Sequence, residues 1–149
     1  MQPESLQQLV PWEIIPQNAA RFAARIVLTT RELDGIDLDY SVGSLKLVDE
    51  ILEASSRHEG VTPLKIAATL FGYGCYVGEV IVRNNPGAHW SSLPDDERES
   101  SLNSGLVVMM PLGTQVNPIG KAEKRLLNGE GDSLQEFYKF IVNLDNEPA

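Results

Sequence analysis

The sequence predicts a single α+β domain, with about five helices around a small antiparallel sheet. Three observations support this prediction. Apolar residues recur at three- and four-residue steps in five segments, which is typical of amphipathic helices. Short apolar, β-rich runs bounded by glycine and proline lie between the third and the fourth segment. The chain has 149 residues, 42% of them hydrophobic and 22% charged, which suffices for one hydrophobic core.

The first two predicted helices span residues 18–34 and 41–57. Proline before the first helix and glycine after it are the usual boundary residues, and Ser41 is suited to cap the second. An acidic connector, residues 34–40, joins the two helices. Each helix has one apolar face that we expect to be buried, formed by Phe22, Ile26, Thr29 and Leu33 in the first and by Leu45, Val48, Ile51 and Leu52 in the second.

The third predicted helix, from Thr62 to Asn84, is expected to be the most buried element. Its Thr-Pro start favours helix initiation. Its three glycines, Gly72, Gly74 and Gly78, each cost about 1 kcal/mol relative to alanine. A sequence tolerates this cost mainly where another backbone packs closely. The apolar stripe of this helix consists of Ile66, Leu70, Tyr73, Val77, Val80 and Ile81.

Three short strands and two further helices complete the predicted domain. The strand candidates are residues 88–92, 106–110 and 114–116. Asn117-Pro118 begins the fourth helix and Asn128-Gly129 ends it, while Asp132 with Gln135 is a capping pattern for the fifth. We expect residues 1–16 to form an extended N-terminal segment and residues 143–149 a loose tail. The inner face of the fifth helix is predicted to consist of Leu134, Phe137, Tyr138 and Ile141.

Composition argues against several classes of function. The chain has 12 Lys and Arg against 21 Asp and Glu, a net charge of −9, so we expect no general affinity for nucleic acid or anionic lipid. Its single cysteine, Cys75, can form neither an intramolecular disulfide nor a thiolate zinc site. The apolar stretch 66–82 is shorter than the about 20 residues that span a membrane, and it contains Glu79. With no secretory signal pattern, we expect a cytoplasmic protein.

We predict no catalytic residue, no cofactor and no metal site. The chain lacks the patterns of a nucleophile elbow, a phosphate-binding loop, a zinc protease and a calcium loop. Cys75 is predicted to lie in a helix among apolar neighbours, where a thiol is usually inert.

Glu79 and Arg83 are the pair that we single out for binding a ligand or a partner. They are four residues apart with the glutamate first, which favours a helical ion pair on the side opposite the apolar stripe. Such a pair either fixes how the helix docks or forms a polar spot for a ligand or partner. His89 and Trp90 follow closely, and an exposed tryptophan is a good interface anchor. The candidate set is completed by three acidic residues of an expected solvated loop: Asp95, Asp96 and Glu97.

Residues 72–81, with the pattern Gly-x-Tyr-x-Gly-Glu-Val, and the downstream Gly87-Ala88-His89-Trp90 resemble motifs of small bacterial proteins of unknown function. The segments Val116-Asn117-Pro118 and Lys124-Arg125-Leu126 are similar to that group as well. The resemblance covers roughly residues 36–142. It implies a domain with no assigned activity, and some related small acidic proteins act as immunity proteins or interaction partners.

These observations favour a non-enzymatic, cytoplasmic bacterial module that binds another protein, and the acidic charge favours a basic partner. One alternative is an immunity protein that neutralises a basic toxin through charge complementarity. The other is a carboxylate-dependent enzyme centred on Glu79. An enzyme requires a polar pocket around Glu79, whereas a binding module requires an exposed apolar patch.

Overall fold

The computed structural model describes residues 5–62, 65–94 and 104–147. This part of the chain contains six α-helices and a three-stranded antiparallel sheet, which confirms the predicted α+β domain. The strands of the sheet follow one another in chain order, and Trp90 in the first strand lies opposite Val108 in the second. The elements in chain order are α1 (Leu6–Leu9), α2 (Ala19–Asp34), α3 (Leu45–Ser56), α4 (Ala67–Asn84), β1 (His89–Ser92), β2 (Leu106–Met109), β3 (Gln115–Val116), α5 (Pro118–Asn128) and α6 (Leu134–Asp145).

Helix α4 is the centre of the fold. Every residue from Leu70 to Ile81 is buried, on all sides of the helix, so the core surrounds it. A Cβ at Gly74 would lie 2.5 Å from the Cα atom of Ile119, which shows how closely the start of α5 packs here. The predicted start of this helix at Thr62 is wrong, since α4 begins at Ala67. The hydroxyl of Thr62 instead accepts a hydrogen bond from the Lys65 amide, ahead of α4. The proline that follows Thr62 lies outside the described residues.

The buried face of α2 differs from the predicted face at its C-terminal end. Leu33, expected in the core, is 78% exposed, whereas Thr30 is buried and its hydroxyl lies 2.8 Å from the Tyr73 hydroxyl. Four-residue steps from Phe22 through Ile26 reach Thr30, and this row faces α4. The prediction for Leu33 is therefore wrong, because a buried hydroxyl paired with tyrosine replaces an apolar contact.

The chain ends are more helical than we expected. The segment predicted to be extended contains the short helix α1, and α6 runs to Asp145, into the expected tail. Helix α6 is capped by Ser133, whose side chain accepts a hydrogen bond from the Glu136 amide. Asp132, the predicted cap, instead accepts from the Lys121 ammonium group at 2.6 Å. Within the described residues, no helix has both the length and the apolar character needed to cross a membrane.

Candidate functional site

Glu79 is buried on α4, with 7% of its side chain exposed, and both of its carboxylate oxygens are bonded. Oε1 accepts a hydrogen bond from Nε of Arg83 at 3.1 Å, and Oε2 accepts one from the indole Nε1 of Trp90 at 2.8 Å. A buried carboxylate needs such partners because it has lost its hydration. The structure thus brings together three of the residues singled out in the sequence.

Gly78 allows Trp90 to reach this position. A Cβ at residue 78 would overlap the Cη2 and Cζ2 atoms of the Trp90 ring. The indole therefore lies directly against the backbone of α4, and its N–H group reaches Glu79, the next residue along the helix. The glycine, the glutamate and the downstream tryptophan form one packing unit.

Arg83 is held between Glu79 and an aromatic ring. Its guanidinium carbon lies 3.6 Å from the centroid of the Tyr40 ring, a cation–π contact. The Arg83 side chain is 47% exposed, so part of the charged group meets solvent although two contacts fix its position. Tyr40, which we did not single out from the sequence, completes the cluster.

Tyr40 has a left-handed backbone conformation, with φ of 65°. Among the described non-glycine residues it is the one with a positive φ, and this conformation costs about 1–3 kcal/mol. Its amide donates to the hydroxyl of Tyr76 at 2.9 Å, and its carbonyl accepts from Nδ2 of Asn84 at 3.0 Å. The Tyr76 hydroxyl also lies 2.6 Å from the Ser44 hydroxyl. These bonds from α4 and from the turn before α3 maintain the strained conformation.

The chemistry of this cluster suits recognition better than proton transfer. Each oxygen of Glu79 already accepts a hydrogen bond, from Arg83 or from Trp90, and only 7% of the side chain is exposed, so little of the carboxylate is accessible to a substrate. Cys75, one turn before Glu79, is fully buried, and burial first and the charge of Glu79 second raise its pKa well above the usual value. A protonated, buried thiol is a poor nucleophile.

The remaining predicted binding residues lie elsewhere. His89 is exposed, and its Nδ1 lies 3.2 Å from the Gly87 carbonyl rather than near Glu79. Adjacent residues of a strand point to opposite faces, which separates His89 from Trp90. Asp95, Asp96 and Glu97 lie outside the described residues. A role in binding stays a prediction for all of them.

A second buried charged cluster joins α3, α5 and α6. Oδ1 of Asp49 accepts from Nε of Arg125 at 2.9 Å and from the Leu134 amide at 2.8 Å, and Oδ2 accepts from the Gln135 amide at 3.3 Å. Nη1 of Arg125 also donates to Glu53 at 3.1 Å. Asp49 therefore caps the N-terminus of α6 from another helix and neutralises a buried arginine at the same time.

The other end of α6 is fixed by its own last residue. The carboxylate of Asp145 accepts hydrogen bonds from the amides of Leu112 and Thr114, both at 3.0 Å, in the turn between β2 and β3. Burial raises the pKa of Asp145, but the bonds from Thr114 and Leu112 outweigh it, so its pKa lies below the usual value. Helix α6 is thus attached at both ends.

Between these two attachments, α6 and α5 form a cavity of about 380 Å³ that is apolar on its α6 side and mostly polar on the other side, and we call it the α5–α6 groove. Phe140 and Leu144 lie one turn apart on α6 and are 64% and 40% exposed. Phe137, predicted for the core, is only partly buried and lines this groove instead. The groove is lined on its α6 side by Phe137, Phe140, Ile141 and Leu144, and on the other side by residues of β3 and α5 that include Val116 and Lys121.

Two other cavities are weaker candidates for a binding site. One of about 110 Å³ lies between α2 and α4. Another, of about 550 Å³, is lined by the Asp49–Arg125 cluster, whose charges are already paired with one another. Glu79 lines none of these three cavities. Within the described residues, no group of three or more His, Cys, Asp or Glu side chains is placed to hold a metal ion.

Sequence reasoning missed Tyr40, the Asp49–Arg125 cluster and the exposed side of α6. One signal for Tyr40 was present, because Asp39 precedes Ser41 by two residues and its side chain accepts from the Ser41 amide, a common turn pattern. Phe140 lies beside the predicted apolar face of α6 and not within it, so the amphipathic pattern does not single it out. Asp49 and Arg125 are 76 residues apart, so no local pattern joins them.

Comparison with known proteins places the chain in a family. No curated protein and no solved structure matches it. One family model, described as a family of unknown function (DUF6278), matches residues 16–130, a range that contains Tyr40, Glu79, Arg83 and Trp90. The expected membership of a family without an assigned function is confirmed. The chain belongs to this family of unknown function, DUF6278.

Proposed function

We propose that this protein is a non-enzymatic module that binds another protein through the α5–α6 groove. The observation that supports this proposal is the exposure of Phe140 and Leu144 on one side of α6, above a cavity that Phe137 and Ile141 also line. Exposed aromatic and aliphatic side chains around a concave apolar surface are typical of protein interfaces.

The attachment of both ends of α6 adds to this argument. Asp49 bonds to the amides at its start, and Asp145 bonds to the turn after β2 at its end. The helix therefore keeps its position while its middle leaves apolar side chains exposed. A groove that exists before binding saves the free energy of ordering it, which favours affinity.

The partner that we propose has a basic surface and inserts apolar side chains into the groove. The net charge of −9 attracts a basic protein at long range and accelerates association. The α6 side of the groove, with Phe137, Phe140 and Leu144, favours apolar groups, while Lys121 on the other side is already paired with Asp132. A toxin-neutralising immunity protein is one module of this kind, and the acidic charge is the observation that favours it.

An enzyme centred on Glu79 has less support. Its carboxylate accepts a hydrogen bond on each oxygen, is 7% exposed and lines none of the three cavities found among the described residues. Glu79 acts instead as the buried acceptor that positions Arg83 and Trp90.

Site-specific crosslinking tests the groove. A photoreactive phenylalanine analogue is introduced at Phe140 and, as a matched control, at Leu33, which is even more exposed but lies on α2. Each variant is expressed in the organism from which the protein comes, and the intact cells are then irradiated. We expect one protein to be crosslinked at position 140 and not at position 33. Equal crosslinking at both positions, or none at position 140, would contradict the proposal.

The captured protein is then purified and its binding is measured directly. We expect Phe140→Ser to weaken binding without changing the unfolding curve, because the side chain is largely exposed. Added salt should slow association more than it speeds dissociation, because the Debye length falls from about 10 Å at 0.1 M to about 3 Å at 1 M. An association rate that does not change with salt concentration would contradict the proposal of a basic partner.

A further inference from the structure

We propose that Arg83, held between Glu79 and Tyr40, is a binding site for a single carboxylate group of a partner protein, such as an aspartate or glutamate side chain. The site lies on α4 and the connector before α3, so it does not depend on the α5–α6 groove. Arginine, tyrosine and tryptophan are the residues most enriched among those that dominate binding energy, and here Tyr40, Arg83 and Trp90 are joined through Glu79.

The position of the guanidinium group is fixed before any ligand binds. Nε of Arg83 donates to the buried Glu79 carboxylate, and the ring of Tyr40 lies against the guanidinium at 3.6 Å. Glu79 in turn is held by the indole of Trp90. An arginine on the surface normally moves among many rotamers, and a ligand that fixes it loses affinity to that ordering. At Arg83 most of this ordering has already occurred.

The outer part of the guanidinium group is available. Within the described residues, Nε makes the hydrogen bond to Glu79, and the terminal nitrogens of Arg83 bond to no carboxylate. The side chain remains 47% exposed. Two parallel N–H donors on a planar group match the two oxygens of a carboxylate, which is the geometry that makes these pairs strong.

The strained backbone conformation of Tyr40 places its ring against the Arg83 guanidinium group. Its left-handed conformation is maintained by bonds from Tyr76 and Asn84, and it presents the ring to Arg83. Strained residues of this kind cluster at binding sites because the surrounding structure holds them for a purpose other than stability.

The surrounding charges favour a carboxylate over a phosphate. Asp37 and Asp39 lie in the same connector as Tyr40, and hydrogen bonds from the side chain and amide of Ser41 lower the pKa of Asp39, so it stays ionised. With a net charge of −9, the protein repels a dianion more strongly than a monoanion. A partner carboxylate therefore meets less repulsion here than a phosphate does, and it binds where its hydrogen bonds to the guanidinium group outweigh that repulsion.

Titration of the isotope-labelled wild-type protein tests this site by NMR. The probes are the peptide acetyl-Phe-Asp-Phe-amide, its asparagine analogue, and sodium phosphate, and the readout is the Nε–H resonance of Arg83. The matched control is the same resonance of Arg57, which also bonds through Nε to a glutamate four residues earlier but is 75% exposed. We expect saturable shifts at Arg83, about tenfold tighter binding of the aspartate peptide than of its analogue, and no saturable shift at Arg57.

Equal shifts at Arg57, equal binding of both peptides, no binding of the aspartate peptide, or tighter binding of phosphate would each overturn the proposal. Arg83→Lys, which keeps the charge beside Glu79 but loses the planar group, should weaken the aspartate peptide about tenfold, while Arg57→Lys should not. If Arg83→Lys fails to fold, the wild-type titration decides alone. Phe140→Ser should leave this binding unchanged, which separates failure of this site from failure of the groove.

Discussion

Replacing Gly74 with alanine tests how closely α4 packs against the start of α5. The new Cβ would lie 2.5 Å from Cα and 2.7 Å from Cγ1 of Ile119. A side chain could rotate away, but a Cα atom moves only if the helix that carries it moves. Alanine in a helix interior gains about 0.5–1 kcal/mol over glycine, whereas overpacking costs about 1–3 kcal/mol. Because main-chain atoms must shift, we expect the upper end of this cost and a net loss of about 2 kcal/mol.

The measurement is equilibrium unfolding in urea and by heat, followed by circular dichroism. A net loss of about 2 kcal/mol corresponds to a fall in Tm of about 4–8 °C for a chain of this size. Two further variants calibrate the result. Gly72→Ala meets Ile26 at 3.2 Å, a side chain that can yield, so its loss should be smaller. Gly131→Ala meets no atom within 4 Å and should change stability by less than about 0.5 kcal/mol.

The reasoning is refuted if Gly74→Ala is as stable to unfolding as the wild type, or if it is more stable than Gly131→Ala. Either result would mean that α5 does not lie as close to α4 as the structure shows. A lower m-value with an unchanged midpoint would instead indicate a change in compactness.

Three other predictions follow from the buried groups. Asp49→Ala leaves Arg125 buried without its main partner, so it should lower the free energy of unfolding in urea by about 3–5 kcal/mol. The control Asp37→Ala, which removes an exposed ion pair, should lower it by less than about 1 kcal/mol. Similar losses in both variants would show that the buried cluster is not stabilising. Cys75 should react with a thiol reagent far more slowly in the native than in the denatured protein, because burial and a raised pKa both oppose attack; equal rates would reopen a role as nucleophile. The pKa of Asp145 is lowered on folding, so its stabilisation is complete above the ordinary value of 3.8 and is lost as the pH falls through the lower folded value. Asp145→Asn should therefore flatten the dependence of stability on pH in this acid range, and an unchanged slope would contradict the assignment.

The sequence by itself determined five of the six helices, the three strands and most of their boundaries, but neither α1 nor the start of α4. Gly35 ends α2 in a left-handed conformation, Ser41 accepts from the Ser44 amide, and Asn117 accepts from the Gly120 amide. Each of these interactions joins residues no more than four positions apart. The pattern that specifies such a boundary is therefore complete within a short window, and it can be read without knowledge of the fold.

The sequence also pointed to Glu79, Arg83 and Trp90, but the tertiary structure decided which distant residues complete the candidate sites. The positive φ of Tyr40 depends on a hydroxyl of Tyr76, 36 residues later, and the capping of α6 depends on Asp49, 85 residues before the amide that it accepts from. Phe140 is exposed and lines the groove between α6, α5 and β3, segments that are distant from one another in the sequence. An apolar pattern shows that a helix has a buried face, but its partner and the width of that contact arise from packing among distant segments.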